Sequence, residues 1–461
     1  MVVTGVERSA DIIDLDAFRG QPVTEDMAAR QFALMYQGEL AYCWSRGSWY
    51  RFNGSTWAVQ ETHLAFDYAR RLARKLSSVS KDGGQLQKIR FAAAVEQAAS
   101  KDPVFTKTFR TWDTDPYLLG TPSGTVNLKT GDLRASDPED YISKSTVVTP
   151  DEFIDCPTWF SFLNQATGGD KDLQHYLQQI AGYVLTGDTS EQCLFFLHGE
   201  GGRGKGTYVN TIRKILGDYA VQAAMETFES SRQSGHSTSI AMLNGARMVT
   251  ASETEEGRGW AEARIKQFTG QDAITARFMR QNDFTFTPQF KLVIMGNHQP
   301  SLRTVDEAMR RRFNMIPFVV EPRKKDTRLP EKLALEFPGI LRWAIEGCLD
   351  WQRNGFTKPQ SVIDATADYF EEQNTFGGWL DQYCETDPAR RTGAASASEL
   401  FASWSKFAKS NGEEAGSQKT FSQSLMRHGF RKKATNSGKF YLGLKLRDFR
   451  EQAPEDDQVF R

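Results

Sequence analysis

The chain has 461 residues, enough for two to four domains, and carries 57 basic against 58 acidic residues. That balance excludes a polyanion-binding signature spread over the whole protein, so any nucleic-acid surface has to come from local charge asymmetry. Five cysteines (Cys43, Cys156, Cys193, Cys348 and Cys384) without a CxxC pair argue against a zinc ribbon or a disulfide framework and suit a reducing cytosol. No apolar run approaches a membrane span, and the start, MVVTGVERSADIID, is too acidic for a signal peptide. The expected location is the cytoplasm, with no membrane partner.

Residues 1–24 read as a polar arm. The apolar-Asp-apolar-Asp run ending at Asp14 and Asp16 resembles a two-metal carboxylate pair, but it is too isolated to outweigh chance. Residues 25–150 read as a mixed α/β domain. Trp49–Phe52 and Thr56–Val59 flank Asn53-Gly54, a hairpin signal, and 64–79 form a helix with Phe66, Ala69, Leu72, Ala73 and Leu76 inward. Its other face carries Arg70, Arg71, Arg74 and Lys75, a pattern more common in a solvated face than in a DNA contact. A second hairpin is expected around Lys129-Thr130-Gly131. Residues 151–190 form a helical layer ahead of the next domain.

Residues 191–330 carry the chemistry. The apolar run Cys193–Leu197 ends in a glycine-rich turn, Gly199–Gly206, and a helical stretch follows. Read as strand, loop and helix, this arrangement offers exposed backbone N–H groups and a helix N-terminus to a polyphosphate. Gly199, Gly201, Gly202 and Gly204 let the backbone curl, and Lys205 stands where a P-loop lysine reaches phosphates. Gly206 departs from that pattern, which has Ser or Thr there for Mg2+, and Thr207 follows one place later. The competing reading is an ordinary glycine-rich turn. A second strand, Arg247–Ala251, delivers Ser252-Glu253-Thr254-Glu255-Glu256, a carboxylate cluster suited to polarising water. A third, Lys291–Met295, ends in Gly296-Asn297-His298. Arg310-Arg311-Arg312 precede a fourth strand, Met315–Val320, and read as a solvated run or as arginine fingers. Between the second and third strands, a helix over 261–268 leads to strands 274–279 and 284–287, a hairpin with a charged tip.

Residues 331–374 form a helical extension. Residues 375–450 hold 13 basic residues against seven acidic ones. Helices over 398–409 and 420–428, then Arg431-Lys432-Lys433 and a strand at 439–443, fit a winged-helix-like DNA-binding domain. Residues 451–461 are an acidic tail.

Together GEGGRGKGT (199–207), ARMVTASETEEG (246–257), IKQFTGQDAITARF (265–278), KLVIMGNHQP (291–300) and DEAMRRRF (306–313) resemble a superfamily 3 helicase, in particular the helicase half of phage, plasmid and poxvirus primase–helicases. YLLGTPSGTVNLKTGDLR (117–134) resembles the region that precedes that helicase. The resemblance implies an α/β fold, with an AAA+-like P-loop core built on a parallel sheet. It implies a homo-hexameric ring moving 3′→5′ on single-stranded and forked DNA with ATP and Mg2+. It also implies replication of a phage or mobile element in a host cytoplasm, beside a separate primase or polymerase. Carried over, Lys205 binds phosphates, Glu253 polarises water, Asn297 is the sensor, and Arg311 or Arg312 is the finger. Thr207 or Ser252 shares the metal role left by Gly206. Lys266, Arg277 and Arg280 lie near the DNA channel. The alternative is an origin-binding initiator in which ATP drives assembly and local melting.

Overall fold

The computed structural model describes residues 15–229, 237–252, 259–277, 283–297, 299–300, 302, 306–321, 326–372, 375–386, 394–412, 414–427, 430–435 and 438–447. The chain divides into two compact units, Met1–Thr366 and Ala367–Arg461.

The first unit opens with α1 (Glu25–Tyr36), capped by the Thr24 hydroxyl, which accepts from Met27 N at 3.2 Å. Strands β1 (Leu40–Cys43), β2 (Ser48–Phe52) and β3 (Trp57–Val59) follow, then α2 (Leu64–Ser77), α3 (Gly83–Leu86), α4 (Ile89–Ala99) and β4 (Thr106–Lys107). The sheet order is β3-β2-β1-β4. The expected β2–β3 hairpin is present, its turn fixed by the Asn53 side-chain oxygen accepting from Ser55 N and Thr56 N, both at 2.9 Å. Phe32, Trp49 and Phe105 meet edge to face in the core beneath α1, α2 and α4, and Phe18 and Val23 join it. A three-stranded meander comes next: β5 (Leu118–Thr121), β6 (Gly124–Asn127) and β7 (Asp132–Arg134).

Helices α5 (Pro157–Ala166) and α6 (Lys171–Tyr183) lead into the central layer. Its elements are β8 (Leu194–His198), α7 (Lys205–Leu216), β9 (Ala220–Gln222), α8 (Ser237–Ala241), β10 (Met248–Ser252), α9 (Glu262–Thr269), β11 (Ile274–Ala276), β12 (Phe284–Phe286), β13 (Lys291–Gly296), α10 (Glu307–Arg310) and β14 (Phe313–Pro317). Five strands pair in parallel in the order β14-β8-β13-β10-β9. Near-continuous apolar runs suit strands covered on both faces, and β8, β10, β13 and β14 are buried along most of their length. The fourth strand begins two residues earlier than the sequence suggests, because Phe313 already pairs with Leu194. β11 and β12 form the expected antiparallel hairpin; its tip, including Arg280, lies outside the described residues. Helices α11 (Leu329–Leu335), α12 (Phe337–Asn354) and α13 (Gln360–Glu372) follow. α12 packs along α6, where a side chain on Gly182 would run into the α12 backbone, its Cβ 2.0 Å from Cys348 N.

The second unit contains α14 (Thr375–Tyr383), β15 (Cys384–Thr386), β16 (Ala394–Ser396), α15 (Ala397–Ser410), α16 (Gln418–Arg427), β17 (Arg431–Thr435), β18 (Gly438–Leu442) and β19 (Leu444–Leu446). Trp379, Leu400, Trp404, Phe421 and Tyr441 form its core. Antiparallel β17 and β18 place Arg431, Lys432 and Lys433 opposite Leu442, Tyr441 and Phe440, so the basic run is a strand with exposed side chains. Among the described residues no helix is long and apolar enough to cross a membrane, and all five cysteines are free and buried.

Candidate functional site

In a parallel sheet the loops leaving the carboxyl ends of the strands share one edge, where open α/β sheets place their ligands. Register aligns Gly296 and Pro317 with His198, and Ser252 with Met295. One edge therefore collects the glycine loop after β8, Ser252 at the end of β10, and Asn297 just beyond β13. Glu253 follows Ser252 but lies outside the described residues.

Two glycines in the loop are fixed by geometry. Gly199 has φ +138°, and a Cβ there would lie 2.1 Å from the Phe318 carbonyl oxygen. Gly204 has φ +101° and lies against Phe162 and Ala166 of α5, 3.1 and 3.2 Å from where its Cβ would be. Gly201, Gly202, Gly206 and Thr207 complete the loop and the first turn of α7.

Lys205 opens α7 and is buried, at 7% exposure. Its ammonium donates to the carbonyl oxygens of Gly199 and Glu200 (2.9 Å for the latter) and to Oδ1 of Asn297 at 3.1 Å. The structure thus brings together two residues 92 positions apart that the sequence singled out separately. All three acceptors are neutral. Burial lowers the lysine pKa, and the neighbouring Arg203 lowers it further. A buried cation whose acceptors among the described residues are all neutral is poised to exchange them for an anion, where a charge-assisted bond is about twice as strong. Asn297 itself is exposed.

Thr207 and Ser252 are both half-buried. Ser252 is two strands from β8, roughly 10 Å across the sheet, so the two hydroxyls approach the loop from different sides. Among the described residues no cluster of three or more His, Cys, Asp or Glu could hold a metal by itself. The loop's shape, its cation and these hydroxyls fit a phosphate–metal complex, in which most metal ligands come from phosphate and water.

A cleft of about 940 Å³ continues from the loop, lined by Phe162, Gln165, Arg203, Thr207, Arg328 and Lys332 among others. Arg203 donates to the Val319 carbonyl and to Glu200, and Lys332 pairs with Asp326 at 2.6 Å. Sequence reading missed these walls, because α5 and α11 are distant in the chain and carry no motif. It also missed His198, whose Nε2 is buried with no hydrogen-bond partner among the described residues; burial, then Lys205, lowers its pKa, keeping it neutral beside the loop.

The arginine cluster lies at the other edge of the sheet. Arg312 O accepts from Leu194 N at 2.8 Å, at the start of β8, and the strand's four steps put this about 13 Å from the glycine loop. Arg312 is buried; Nε donates to Thr269 Oγ1 at 3.0 Å and Nη1 to Ala308 O at 2.7 Å. Arg311 is exposed and donates to Gln192 Oε1 at 3.4 Å. Lys266 pairs with Asp306 at 2.5 Å, and that carboxylate also caps α10 through Met309 N. Lys266 and Arg312 therefore tie α9 to α10. Arg277 is exposed, 3.7 Å from Asp283.

The family described as "D5 N terminal like" matches residues 29–168, and one described as "Family of unknown function (DUF5906)" matches residues 197–312. A protein of Acanthamoeba polyphaga mimivirus named as a helicase is 27% identical over 306 residues, 61% of this chain and 32% of that protein. One of Frog virus 3 (isolate Goorha), also named as a helicase, is 23% identical over 257 residues, 51% of this chain and 26% of its own. Primase D5 of Fowlpox virus (strain NVSL) is 24% identical over 146 residues, covering 31% and 18%. The chain thus spans about a third or less of the length of these curated relatives. An apo structure of the NrS-1 C-terminal region shares its fold, with a TM-score of 0.51 at 11% identity over 91% of this chain and 99% of that one. These sequence matches support the resemblance to a D5-type primase-helicase-like family.

Proposed function

We propose that this chain is an ATP-driven DNA helicase of superfamily 3, with an AAA+-like core, that works as a hexameric ring moving 3′→5′ along single-stranded DNA in replication of a virus or mobile element, in the host cytoplasm. The observation that carries the reading is the Lys205–Asn297 contact at 3.1 Å, between the first residue of α7, after the glycine loop that leaves β8, and the residue just beyond the adjacent parallel strand β13. Lys205 and the loop N–H groups would hold the phosphates of ATP. Thr207 or Ser252 would help hold Mg2+, which supplies charge neutralisation at the phosphates when bound. Asn297 would orient the attacking water and Glu253 would polarise it. The base and ribose would lie in the cleft beside Phe162 and Gln165.

A ring is supported by the position of the arginines. About 13 Å of strand separates them from the loop of their own chain, so a finger at Arg311 has to act on a neighbour's nucleotide. The buried, internally bonded Arg312 suits that role less. In the second unit, two helices and a hairpin bearing Arg431, Lys432 and Lys433 support a winged-helix-like duplex contact, which also keeps the origin-binding initiator as the second reading.

The test is strand displacement on a forked substrate lacking any origin sequence, beside ATP hydrolysis, for the native chain, Lys205→Ala and Glu253→Gln. Unwinding by the native chain only, with ATP still bound by Glu253→Gln, is expected. Hydrolysis without displacement on any fork would favour the initiator; undiminished hydrolysis by Lys205→Ala would reject the site.

A further inference from the structure

The β1–β2 turn, Trp44–Gly47, carries none of the motifs above. Trp44 is 63% exposed, an unusual position for the largest aromatic side chain. The turn itself is well braced. Arg46 N and Gly47 N donate to Cys43 O at 3.1 and 2.8 Å, and Trp44 N donates to Lys107 O at 2.9 Å. The indole is therefore held outward on a firm backbone.

Cations lie on and beside the turn. Arg46 is exposed, and its guanidinium donates to the Tyr50 hydroxyl at 3.0 Å. Phe109 N donates to Ser45 Oγ at 3.3 Å, which brings the exposed Arg110 alongside the turn. Behind Arg46 opens a polar cleft of about 620 Å³ that also takes in Asn53, Ser143, Lys144 and Asp218. Lys144 donates to the Asp218 carbonyl at 3.1 Å. Arg46, Arg110 and Lys144 form no ion pair among the described residues. The nearby carboxylates are engaged: Asp113 accepts from Ser143 N and Oγ, and Asp218 from Ser145 N at 3.2 Å. Phe109 also touches Phe284 of the β11–β12 hairpin, edge to face at 6.1 Å between centroids. The turn and the hairpin thus border one stretch of surface.

Arg110 also lies over the Phe109 ring, 5.6 Å from its centroid, and Lys144 is half-buried beside Asp113 and Asp218. An exposed aromatic beside cations that make no ion pair among the described residues is what a single strand requires: a π-face for a base and charges for its phosphates. We propose that the β1–β2 turn is a second docking surface for single-stranded nucleic acid, with a base stacked on Trp44 and phosphates met by Arg46, Arg110 and Lys144. The inference names a partner surface for the motor proposed above and rests on that reading for its biological meaning. Its test does not depend on hydrolysis.

The probe is a fluorescently labelled oligo-dT, titrated by anisotropy without nucleotide into the full chain at two salt concentrations. Trp44→Ala should weaken binding about tenfold, as loss of one stacked base does, while Trp44→Phe keeps affinity close to native. Arg46→Ala with Arg110→Ala should reduce the slope of log K against log[salt] by about 1.4, roughly 0.7 for each phosphate contact on a single strand. All three sites are exposed, so native melting temperatures and native basal hydrolysis are expected. Native affinity for Trp44→Ala, an unchanged salt slope in the double variant, or no oligo-dT binding by the native chain would each overturn the proposal. A native chain that binds oligo-dT through Trp44 but hydrolyses no ATP would reject the motor reading and leave this surface standing.

Discussion

Lys205 and Lys291 are two buried lysines at opposite edges of the same parallel sheet, and they differ in what holds them. Lys291 opens β13 at 2% exposure and donates to Thr186 O and Oγ1, Asp188 O at 3.2 Å and Gln289 O at 3.4 Å. Beside it Arg247 is 1% exposed and donates to the carbonyls of Leu185 and Leu118, both at 2.6 Å. These cations fasten the α6–β8 connection and the β5 meander to the base of the sheet. Their acceptors belong to segments that the rest of the fold fixes in place. Lys205 also holds carbonyls, but those are in its own glycine loop, next to an open cleft. One edge spends its charge on assembly, whereas the other keeps a charge whose partners can be exchanged. The same division separates Arg312, buried and bonded, from Arg311, exposed at the surface.

The strongest test of this contrast is to exchange the phenotypes. Lys205→Ala should lower ATP turnover at least about 10²–10³-fold, the usual cost of losing one preorganised electrostatic group, with little change in Tm. Lys291→Met should do the reverse. It leaves several buried carbonyls unpaired, at about 1–3 kcal/mol of stability, while turnover by the folded fraction stays near native. Calorimetry and hydrolysis on the same preparations decide it. A Lys291→Met protein as stable as native would end the assignment of that edge to assembly.

The arginines provide the next test. Arg311→Ala should lower turnover by about 10³-fold if it is the finger, and mixing it with Lys205→Ala should restore part of the activity, because a mixed ring places an intact Arg311 against an intact Lys205. Arg312→Ala should instead lower Tm, because Thr269 and Ala308 lose a buried donor. Rescue by mixing with Arg312→Ala and not with Arg311→Ala would invert the two roles.

The two lysines should also differ in their response to pH. Burial lowers the pKa of each below the ordinary 10.5. Between its lowered folded value and 10.5, each group binds fewer protons in the folded than in the unfolded chain, so stability rises with pH across that window. For Lys291 the rise should appear in denaturant titrations of the native chain and be absent from Lys291→Met. For Lys205 the sign appears in binding. A phosphate favours the charged ammonium, so affinity for a nucleotide should fall as pH climbs through the same window. A nucleotide Kd that does not change as pH rises toward 10.5 would mean that Lys205 does not face the phosphates.

Much of the loaded edge was legible in sequence, because strand, glycine loop and helix are contiguous and their order has a physical meaning. Asn297 was legible for the same reason, as a polar tip on an apolar run. The spent cations were not. Nothing local marks Lys291 as a buried, internally bonded cation, since the acceptors that hold it lie mainly in the α6–β8 connection about a hundred residues upstream. Lys266 shows the same limit: its pairing with Asp306 depends on a helix contact across 40 positions. The cleft walls on α5 and α11 follow only from packing.

The smallest effect is expected at Gly206, where the loop departs from its pattern. The position is roomy: a Cβ there would have Asn210 Nδ2 as its nearest neighbour, at 3.7 Å, which is ordinary contact. Packing therefore does not demand glycine, and its φ is not among the positive ones. Gly206→Ser should be tolerated and gain a few tenths of a kcal/mol from helix propensity. If the cation that accompanies the phosphates sits over this first turn of α7, the new hydroxyl should lower the Mg2+ concentration for half-maximal hydrolysis a few-fold, and Thr207→Ala should raise it. The two substitutions then act in opposite directions at one place, which a general change in stability cannot imitate. Mg2+ titrations of both variants at saturating ATP provide the measurement. If Gly206→Ser raised the requirement while Thr207→Ala left it alone, the metal would have to be held from the Ser252 side of the sheet.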